Sequence, residues 1–288
     1  MTSHLIVNTQ AGGYRPELIL RLGRELADAG HSPRLHLVST LAEARETAAA
    51  IQATEPHPYL LVAAGDGTIN AVLNGLVPGR ATLAVIPVGT ANVLALELGI
   101  RSVDEALQRI RSGNRRPLAV GVVTSGGSRR YFSLMAGIGC DGAVVAAVNW
   151  REKQVLKKGA YLLAAMRTLR GWDRGTMTVT VGQERMTCHS VIVSNAARYG
   201  GDLLLAPGQD VAVPTLSVVC ICSNRRRTYL RLALRFLLGF GLSGPDVRRR
   251  FGRELSIEGT KPIQVDGDAI GCAPARIGVI ERFAQIIR

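Results

Sequence analysis

Aromatic residues are scarce, with Phe, Trp and Tyr making up 5% of the 288 residues. No RNP-type aromatic string and no zinc-finger spacing occurs, which argues against a nucleic-acid module. No apolar run is long enough to span a bilayer, since even 230–242 is broken by Arg231 and Arg235. Met1-Thr2-Ser3-His4-Leu5 has no basic n-region, and Leu5-Ile6-Val7 is too short for a signal h-region. Cys140, Cys188, Cys220, Cys222 and Cys272 include no CxxC pair, the pattern of reduced, mostly buried thiols in a cytosolic protein. No G-x-x-x-x-G-K-[ST] is present, which excludes a standard P-loop. Acidic residues are in deficit, 22 against 35 Lys and Arg, and the net charge of +13 favours an anionic partner, nucleic acid or a lipid surface.

What is there begins at Tyr59-Leu60-Leu61-Val62-Ala63-Ala64, a short apolar run of the kind that forms a strand buried on both faces. Gly65-Asp66-Gly67 follows, and from Thr68 the period changes, with Ile69, Val72, Leu73 and Leu76 at helical spacing. Strand, glycine turn and helix in that order set free backbone N–H groups and a helix dipole against a ligand, an arrangement suited to phosphate. A carboxylate in such a pocket calls for a cation beside the phosphate, or a hydroxyl to activate, so Asp66 points to one of these. The same residues also describe a tight turn with Asp66 as a cap.

A second turn of the same design shifts that balance. Residues 81–86 read as a strand, Pro87-Val88-Gly89-Thr90 as a turn, and 91–98 as a helix stopped by Gly99. Both turns leave strand C-terminal ends and converge on the crevice where open α/β sheets bind ligands. Upstream, a strand at 5–8, a helix at 16–29, a strand at 34–38 and an alanine-rich helix after Thr40 complete the alternation of a parallel sheet covered on both faces. Ser102-Val103-Asp104-Glu105 is a capping box.

After Arg115-Arg116-Pro117 short strands with Gly-rich turns take over (118–124, 131–136, 176–181, 190–194, 216–222), interrupted by a helical insert at 153–170. Gly137-Ile138-Gly139-Cys140-Asp141-Gly142 matches G-x-G-x-x-G, but 159–170 holds no acidic residue, so the stretch reads as a glycine turn presenting Asp141. Arg227, Arg231 and Arg235 stand at i, i+4 and i+8 beside Leu230, Leu234, Leu237 and Leu238, and Arg248-Arg249-Arg250 follows. Such a double stripe lies on an anionic membrane or docks as an ordinary amphipathic helix.

Together these motifs resemble the diacylglycerol kinase catalytic family, bacterial lipid kinases that are also similar to sphingosine kinases, over nearly the whole chain. The family's Gly-Gly-Asp-Gly-Thr is here Ala64-Gly65-Asp66-Gly67-Thr68, with Asn70 in place, and its Pro-x-Gly-Thr-x-Asn-Asp is Pro87-Val88-Gly89-Thr90-Ala91-Asn92-Val93. Its nucleotide loop is matched loosely by Asn8-Thr9-Gln10-Ala11-Gly12. Further matches are Gly137 to Asp141, Lys158-Gly159-Ala160-Tyr161-Leu162, Asn195 with Leu205-Ala206-Pro207, and Val265-Asp266-Gly267-Asp268. Ala64, Val93 and Asp268 depart from the family's Gly, Asp and Glu, and 208–214 departs from the Asp-Asp-Gly turn at its structural Mg²⁺.

The resemblance implies an α/β fold with an NAD-kinase-like three-layer nucleotide domain over 1–122. A β-rich, sandwich-like lipid domain over 123–276 follows, and 277–288 returns to the first domain. It implies ATP and Mg²⁺ as cofactors. Asn8, Gly12, Thr40, Gly65, Asp66, Gly67, Thr68, Asn70, Gly89 and Thr90 would bind the nucleotide, with Asp66 at its Mg²⁺. Asn92 and Asp141 would meet the lipid. Asp268 would take the proton of the acceptor hydroxyl, with Asp66 as the second catalytic carboxylate.

The partners implied are a diacylglycerol- or sphingoid-like lipid and an anionic membrane surface touched peripherally from the cytoplasm. No nucleic acid is expected, and a homodimer stays open. Two competitors share the fold. A kinase of a soluble nucleotide, like NAD kinase, would not need 158–162 or the basic stripe. A catalytically silent lipid-binding or regulatory homologue would fit Ala64, Val93 and Asp268.

Overall fold

A computed structural model describes residues 3–148 and 158–288, with side chains in the helix that begins at 158 described from residue 163. The expected start of that helix at 153, and the side chains of the Lys158 to Leu162 match, lie outside the described residues. Four parallel strands, β1 (Ser3–Asn8), β2 (Arg34–Val38), β3 (Tyr59–Ala64) and β4 (Thr82–Pro87), lie in the order β2-β1-β3-β4. Every residue of β3 is buried, as its unbroken apolar run requires of a strand covered on both faces. Helix α1 (Pro16–Asp28) turns Leu22 and Leu26 inward, and α2 (Leu41–Thr54) is opened by Thr40, whose hydroxyl oxygen accepts from Glu43 N at 3.1 Å.

Helix α3 (Asp66–Gly75) packs closely on α2, since a Cβ on Gly75 would lie 2.2 Å from the Arg45 carbonyl oxygen. The short α4 (Val93–Glu97) follows β4, and α5 (Val103–Ser112) is capped by Ser102, which accepts from Glu105 N at 3.1 Å.

The sheet continues past β4. Strand β18 (Ala275–Ile287) pairs parallel with β4 through Gln285 and Ile286, and antiparallel along β5 (Arg115–Ser125). Beyond it come β15 (Glu254–Glu258), β8 (Met177–Val181) and β9 (Glu184–Cys188), while β6 (Ser128–Phe132) pairs with β5. This ten-stranded sheet serves both halves of the chain, and residue 122 falls inside β5.

A second, six-stranded sheet has the order β14 (Val247–Gly252), β13 (Leu216–Ile221), β10 (Ser190–Ser194), β7 (Met135–Ile138), β16 (Pro262–Val265) and β17 (Asp268–Cys272). A shared core of Phe132, Ile138, Val179, Val191, Ile257 and Ile277 joins the two layers, giving the second half its sandwich-like character. Gly121 makes room for the Phe132 ring, whose nearest atom would be 2.0 Å from an added Cβ.

Helices α6 (Cys140–Ala146), α7 (Lys158–Arg170) and α8 (Arg226–Leu237) and the short strands β11 (Arg198–Tyr199) and β12 (Leu203–Leu204) complete the described elements. The Arg248-Arg249-Arg250 run lies in β14. Arg250 there forms a forked pair with Glu184 at 2.5 and 2.6 Å, and Arg249 donates to the Leu205 carbonyl at 2.8 Å.

Candidate active site

Strands β1 to β4 end at one edge of the sheet. Asn8 closes β1, Thr40 follows β2, Gly65 follows β3 and Gly89 lies just beyond β4. The two glycine turns touch backbone to backbone. A Cβ on Gly89 would fall 2.4 Å from Gly65 Cα, and one on Gly65 would fall 3.1 Å from Gly89 Cα. The cause is the ladder, in which Ala64 stands opposite Pro87, so the two chains leave side by side and only residues without Cβ can turn there together.

Gly12 closes on the same pair, 3.1 Å from Thr90 Oγ1 for an added Cβ, whereas Gly67 is open, with Leu41 Cδ2 as its nearest neighbour at 3.8 Å. Asn8 donates to Thr68 Oγ1 at 2.7 Å and accepts from Gln10 N at 2.8 Å, fixing the first loop to the start of α3. Thr40 and Thr90 stand exposed at the rim. Small residues thus line a cradle at the N-terminus of α3, where Gly65 offers no capping side chain. Such a cradle admits an anion to close backbone approach.

Asp66 ties the two turns into one unit. Its Oδ2 accepts from Val93 N and its Oδ1 from Leu94 N, each at 3.0 Å, so it caps α4. Burial pushes its carboxyl above the ordinary range, and the Leu94 and Val93 N–H groups hold that rise back. Asn92 adopts a left-handed conformation (φ +49°) and closes its own turn, accepting from Gly89 N at 2.8 Å and donating to Gly89 O at 2.9 Å. Asn70 is buried and points across to the second half, donating to the Tyr131 carbonyl at 2.9 Å and to Asp266 Oδ2 at 2.8 Å.

Asp266 is the residue to which sequence reasoning gave no role, naming it only as part of the Val265 to Asp268 match. The hairpin exists, with Val265 opposite Asp268, but Asp266 is its anchor. Its carboxylate accepts from Asn70 Nδ2, from the backbone N of Ser133 (2.8 Å), Leu134 (3.1 Å) and Met135 (2.8 Å), and from Ser133 Oγ (3.1 Å). Desolvation pushes this carboxyl up to about 6 despite those donors. Asp268, two residues on, is exposed at the first position of β17.

Asp141 reaches the same hairpin from the other side. Its Oδ1 accepts from the Tyr199 hydroxyl and its Oδ2 from Gln264 Nε2, both at 2.7 Å, while Gln264 Oε1 accepts from Gly267 N at 2.8 Å. Burial raises the Asp141 carboxyl, and Tyr199 and Gln264 offset part of the rise. The glycine fingerprint has its physical reason here, because a Cβ on Gly137 would sit 1.8 Å from Asp141 Oδ2. Asn195 braces the junction by donating to the carbonyls of Ala119 (2.8 Å) and Ser133 (2.9 Å). A second bridge runs from α4, where Glu97 accepts from Arg198 N at 2.9 Å.

The donor chemistry for a cation is thin. Among the described residues no group of three or more His, Cys, Asp or Glu could hold a metal ion. In 208–214, Asp210 is paired with Arg116 at 3.0 Å and accepts from Ala212 N at 2.9 Å. In the crevice Asp66 has one lone pair of each oxygen committed, so Mg²⁺ fits there only as an ion carried largely by nucleotide phosphates.

Residues 2–123 match the diacylglycerol kinase catalytic domain, and residues 135–288 match the YegS C-terminal NAD kinase beta sandwich-like domain. The chain belongs to the diacylglycerol kinase catalytic-domain family. It is 26% identical to a diacylglycerol kinase of Bacillus subtilis (strain 168) over 274 residues, covering 92% of this chain and 88% of that one. A probable lipid kinase YegS-like of Pseudomonas aeruginosa (strain UCBPP-PA14) is 35% identical over 109 residues, covering 37% of this chain and 35% of the other. A crystal structure of a diacylglycerol kinase from Bacillus anthracis str. Sterne superposes with a TM-score of 0.72 at 20% identity, covering 99% of this chain and 96% of that one. At that identity the likeness speaks for the fold alone. No described helix is long and apolar enough to cross a membrane.

Proposed function

We propose that the protein transfers the γ-phosphoryl group of ATP to the hydroxyl of a membrane lipid, a diacylglycerol or a sphingoid-like alcohol. The observation that carries this reading is the double glycine cradle, locked through α3 and the Asn70–Asp266 bond to the hairpin that bears Asp268. ATP phosphates would lie on the backbone of Gly12, Gly65, Gly67 and Gly89, with Thr40 and Thr90 at the rim and the buried Thr68 holding Asn8. Asp66 is the carboxylate beside which Mg²⁺ carried on those phosphates would sit, and the ion would supply neutralisation of their charge. Asp66 keeps both turns in register, so the phosphates meet one rigid surface.

Asp268 takes the proton of the lipid hydroxyl as its oxygen bonds to the γ-phosphorus and the bond to ADP breaks. Asp141, oriented by Tyr199, holds the hydroxyl end of the lipid. The membrane-facing element is α8, which leaves Leu230, Leu234 and Leu237 exposed. Of its stripe, Arg231 is paired with Asp246 at 2.9 Å and Arg235 donates to Ser243 Oγ at 3.2 Å.

The test is ATP turnover with a short-chain diacylglycerol in mixed micelles, followed by a panel of lipids. Asp268→Asn should lower turnover by about 10²-fold with ATP affinity unchanged, and Asp268→Glu should retain or raise it. Equal turnover in parent and both variants removes Asp268 from the mechanism. A silent parent revived by Asp268→Glu identifies a regulatory homologue, and transfer to NAD in place of every lipid identifies a soluble-nucleotide kinase.

A further inference from the structure

Gln264 is buried beside the bulge between β16 and β17, and both ends of its side chain are committed. Its Oε1 accepts from Gly267 N at 2.8 Å, and its Nε2 donates to Asp141 Oδ2 at 2.7 Å. A backbone N–H can only donate, so Gly267 fixes the sense of the amide and turns its NH₂ end toward Asp141. That NH₂ group needs an acceptor, so Oδ2 is the oxygen that carries no proton. A proton on this carboxyl has its place on Oδ1, where the Tyr199 hydroxyl at 2.7 Å can turn from donor to acceptor.

The backbone is shaped to admit this contact. Gln264 stands opposite Gly137 in the ladder of β16 and β7, and a Cβ on Gly137 would lie 1.8 Å from Asp141 Oδ2. The two side chains therefore meet over a residue that has none. Asp141 is half-buried rather than sealed, and burial raises its carboxyl. Apolar packing would hold a hairpin in shape equally well. A carboxyl desolvated yet met by directed donors is instead the usual mark of a functional site.

The hairpin tip is thus fixed twice, at Asp266 by Asn70 and the 133–135 backbone, and at Gly267 by Gln264. On the lipid-kinase reading, we infer that Gln264 is a positioning residue. It ties the carboxylate that receives the hydroxyl end of the lipid to the backbone of the residue before Asp268. The two carboxylates that handle the acceptor are held at one separation, whichever lipid occupies the site.

The experiment compares Gln264→Leu and Gln264→Glu with the parent, in ATP turnover with dispersed short-chain diacylglycerol and in amide exchange of residues 265–269. Gln264→Leu loses both bonds. Its kcat should fall by about tenfold or more while KM for ATP holds, and Gly267 should exchange about tenfold faster or more. Gln264→Glu rebuilds the brace only while it shares one proton with Asp141. The acid then donates to Oδ2, and its other oxygen accepts from Gly267 N. Two ionised carboxylates at that distance repel, so the brace is lost as pH rises. The titratable groups about the pair are Asp141 and Cys140 on α6, Tyr199 on β11, and Asp266 and Asp268 on the hairpin. Relative to the parent at each pH, the Glu variant should match turnover and exchange near about pH 6. It should lose both by about tenfold toward about pH 9.

Parental kcat and exchange in the Leu variant overturn the inference. So does a loss of kcat together with a raised KM for ATP, the pattern of general loosening, and so does a Glu variant whose deficit is the same at every pH. Turnover and exchange report separately. If the parent phosphorylates no lipid while exchange at Gly267 still follows residue 264 and pH, the kinase reading falls and the brace stands. If the parent phosphorylates lipid while exchange is indifferent to residue 264, the brace falls and the kinase reading stands.

Discussion

The crevice at the ends of β1 to β4 and the hairpin of β16 and β17 meet at α3, yet they are made of different materials. The crevice is shaped by backbone and by missing side-chain atoms, with Gly12, Gly65 and Gly89 at van der Waals limits and Asp66 committed to N–H groups. The hairpin is shaped by side chains, with Asp141 and Asp266 desolvated and ringed by donors. A highly charged phosphate is best met by fixed dipoles that cost no reorganisation, whereas a neutral hydroxyl needs a group able to take its proton. Substitutions at the two ends should therefore fail differently.

The largest effect is expected at Gly89. In Gly89→Ala the new Cβ meets the Gly65 backbone at 2.4 Å, and nothing flexible can yield. The turns must part, and turnover should fall by more than about 10²-fold with nucleotide affinity. Gly67→Ala, with its nearest neighbour at 3.8 Å, should be mild. Equal titration curves for ATP in these two variants would remove backbone contact as the defining property of the crevice.

Next comes Asp66→Asn, which turns one acceptor at the start of α4 into a donor facing an N–H group. Turnover should drop on the order of 10²-fold while circular dichroism stays native. Parental kinetics in a folded variant would free Asp66 from any role beyond turn shape.

Asp266 sharpens the comparison through pH. Its carboxyl is pushed up from 3.8 to about 6, so the folded state binds that proton more tightly than the unfolded chain. Its contribution to stability is complete below about pH 4 and lost as pH rises through 6, a change of roughly 3 kcal/mol. Asp266→Asn cannot titrate, so the stability gap between parent and variant should narrow from pH 4 to pH 7. Urea unfolding across that range measures it, and a constant gap would mean that the carboxyl is not shifted. Tyr199→Phe is the smallest case. Loss of its bond to Asp141 should cost about 1 kcal/mol and leave ATP affinity untouched. Weakened ATP binding in this variant would show that the two ends are not separable.

Much of the first half was legible because its signals are local. The β3 run, the 3.6-residue spacing after Thr68 and the Ser102 cap each depend on residues within one turn or strand. Asp66 was visible as a turn residue, but its partners Val93 and Leu94 lie on another element and carry no side-chain signature. Asp266 was hidden more deeply, since its donors belong to residue 70 and residues 133–135 and most of them are backbone. Asn70 and Asn92 looked available for ligands because an amide's direction is set by tertiary partners. The bonds of Arg250 to Glu184 and of Arg249 to the Leu205 carbonyl span distant segments and leave no local signature.

Strand β18 has a consequence for how the chain comes to exist as a folded object. It lies between β4 and β15 and also pairs with β5 over most of its length. During synthesis β4 therefore emerges with an open edge and must wait for residues 285 and 286 before that edge is closed. The sheet of the nucleotide half is completed only when the last strand arrives, although its own strands and helices are all made by then. Exposed strand edges recruit other chains, so in this interval the nascent protein presents the β4 edge to mispairing.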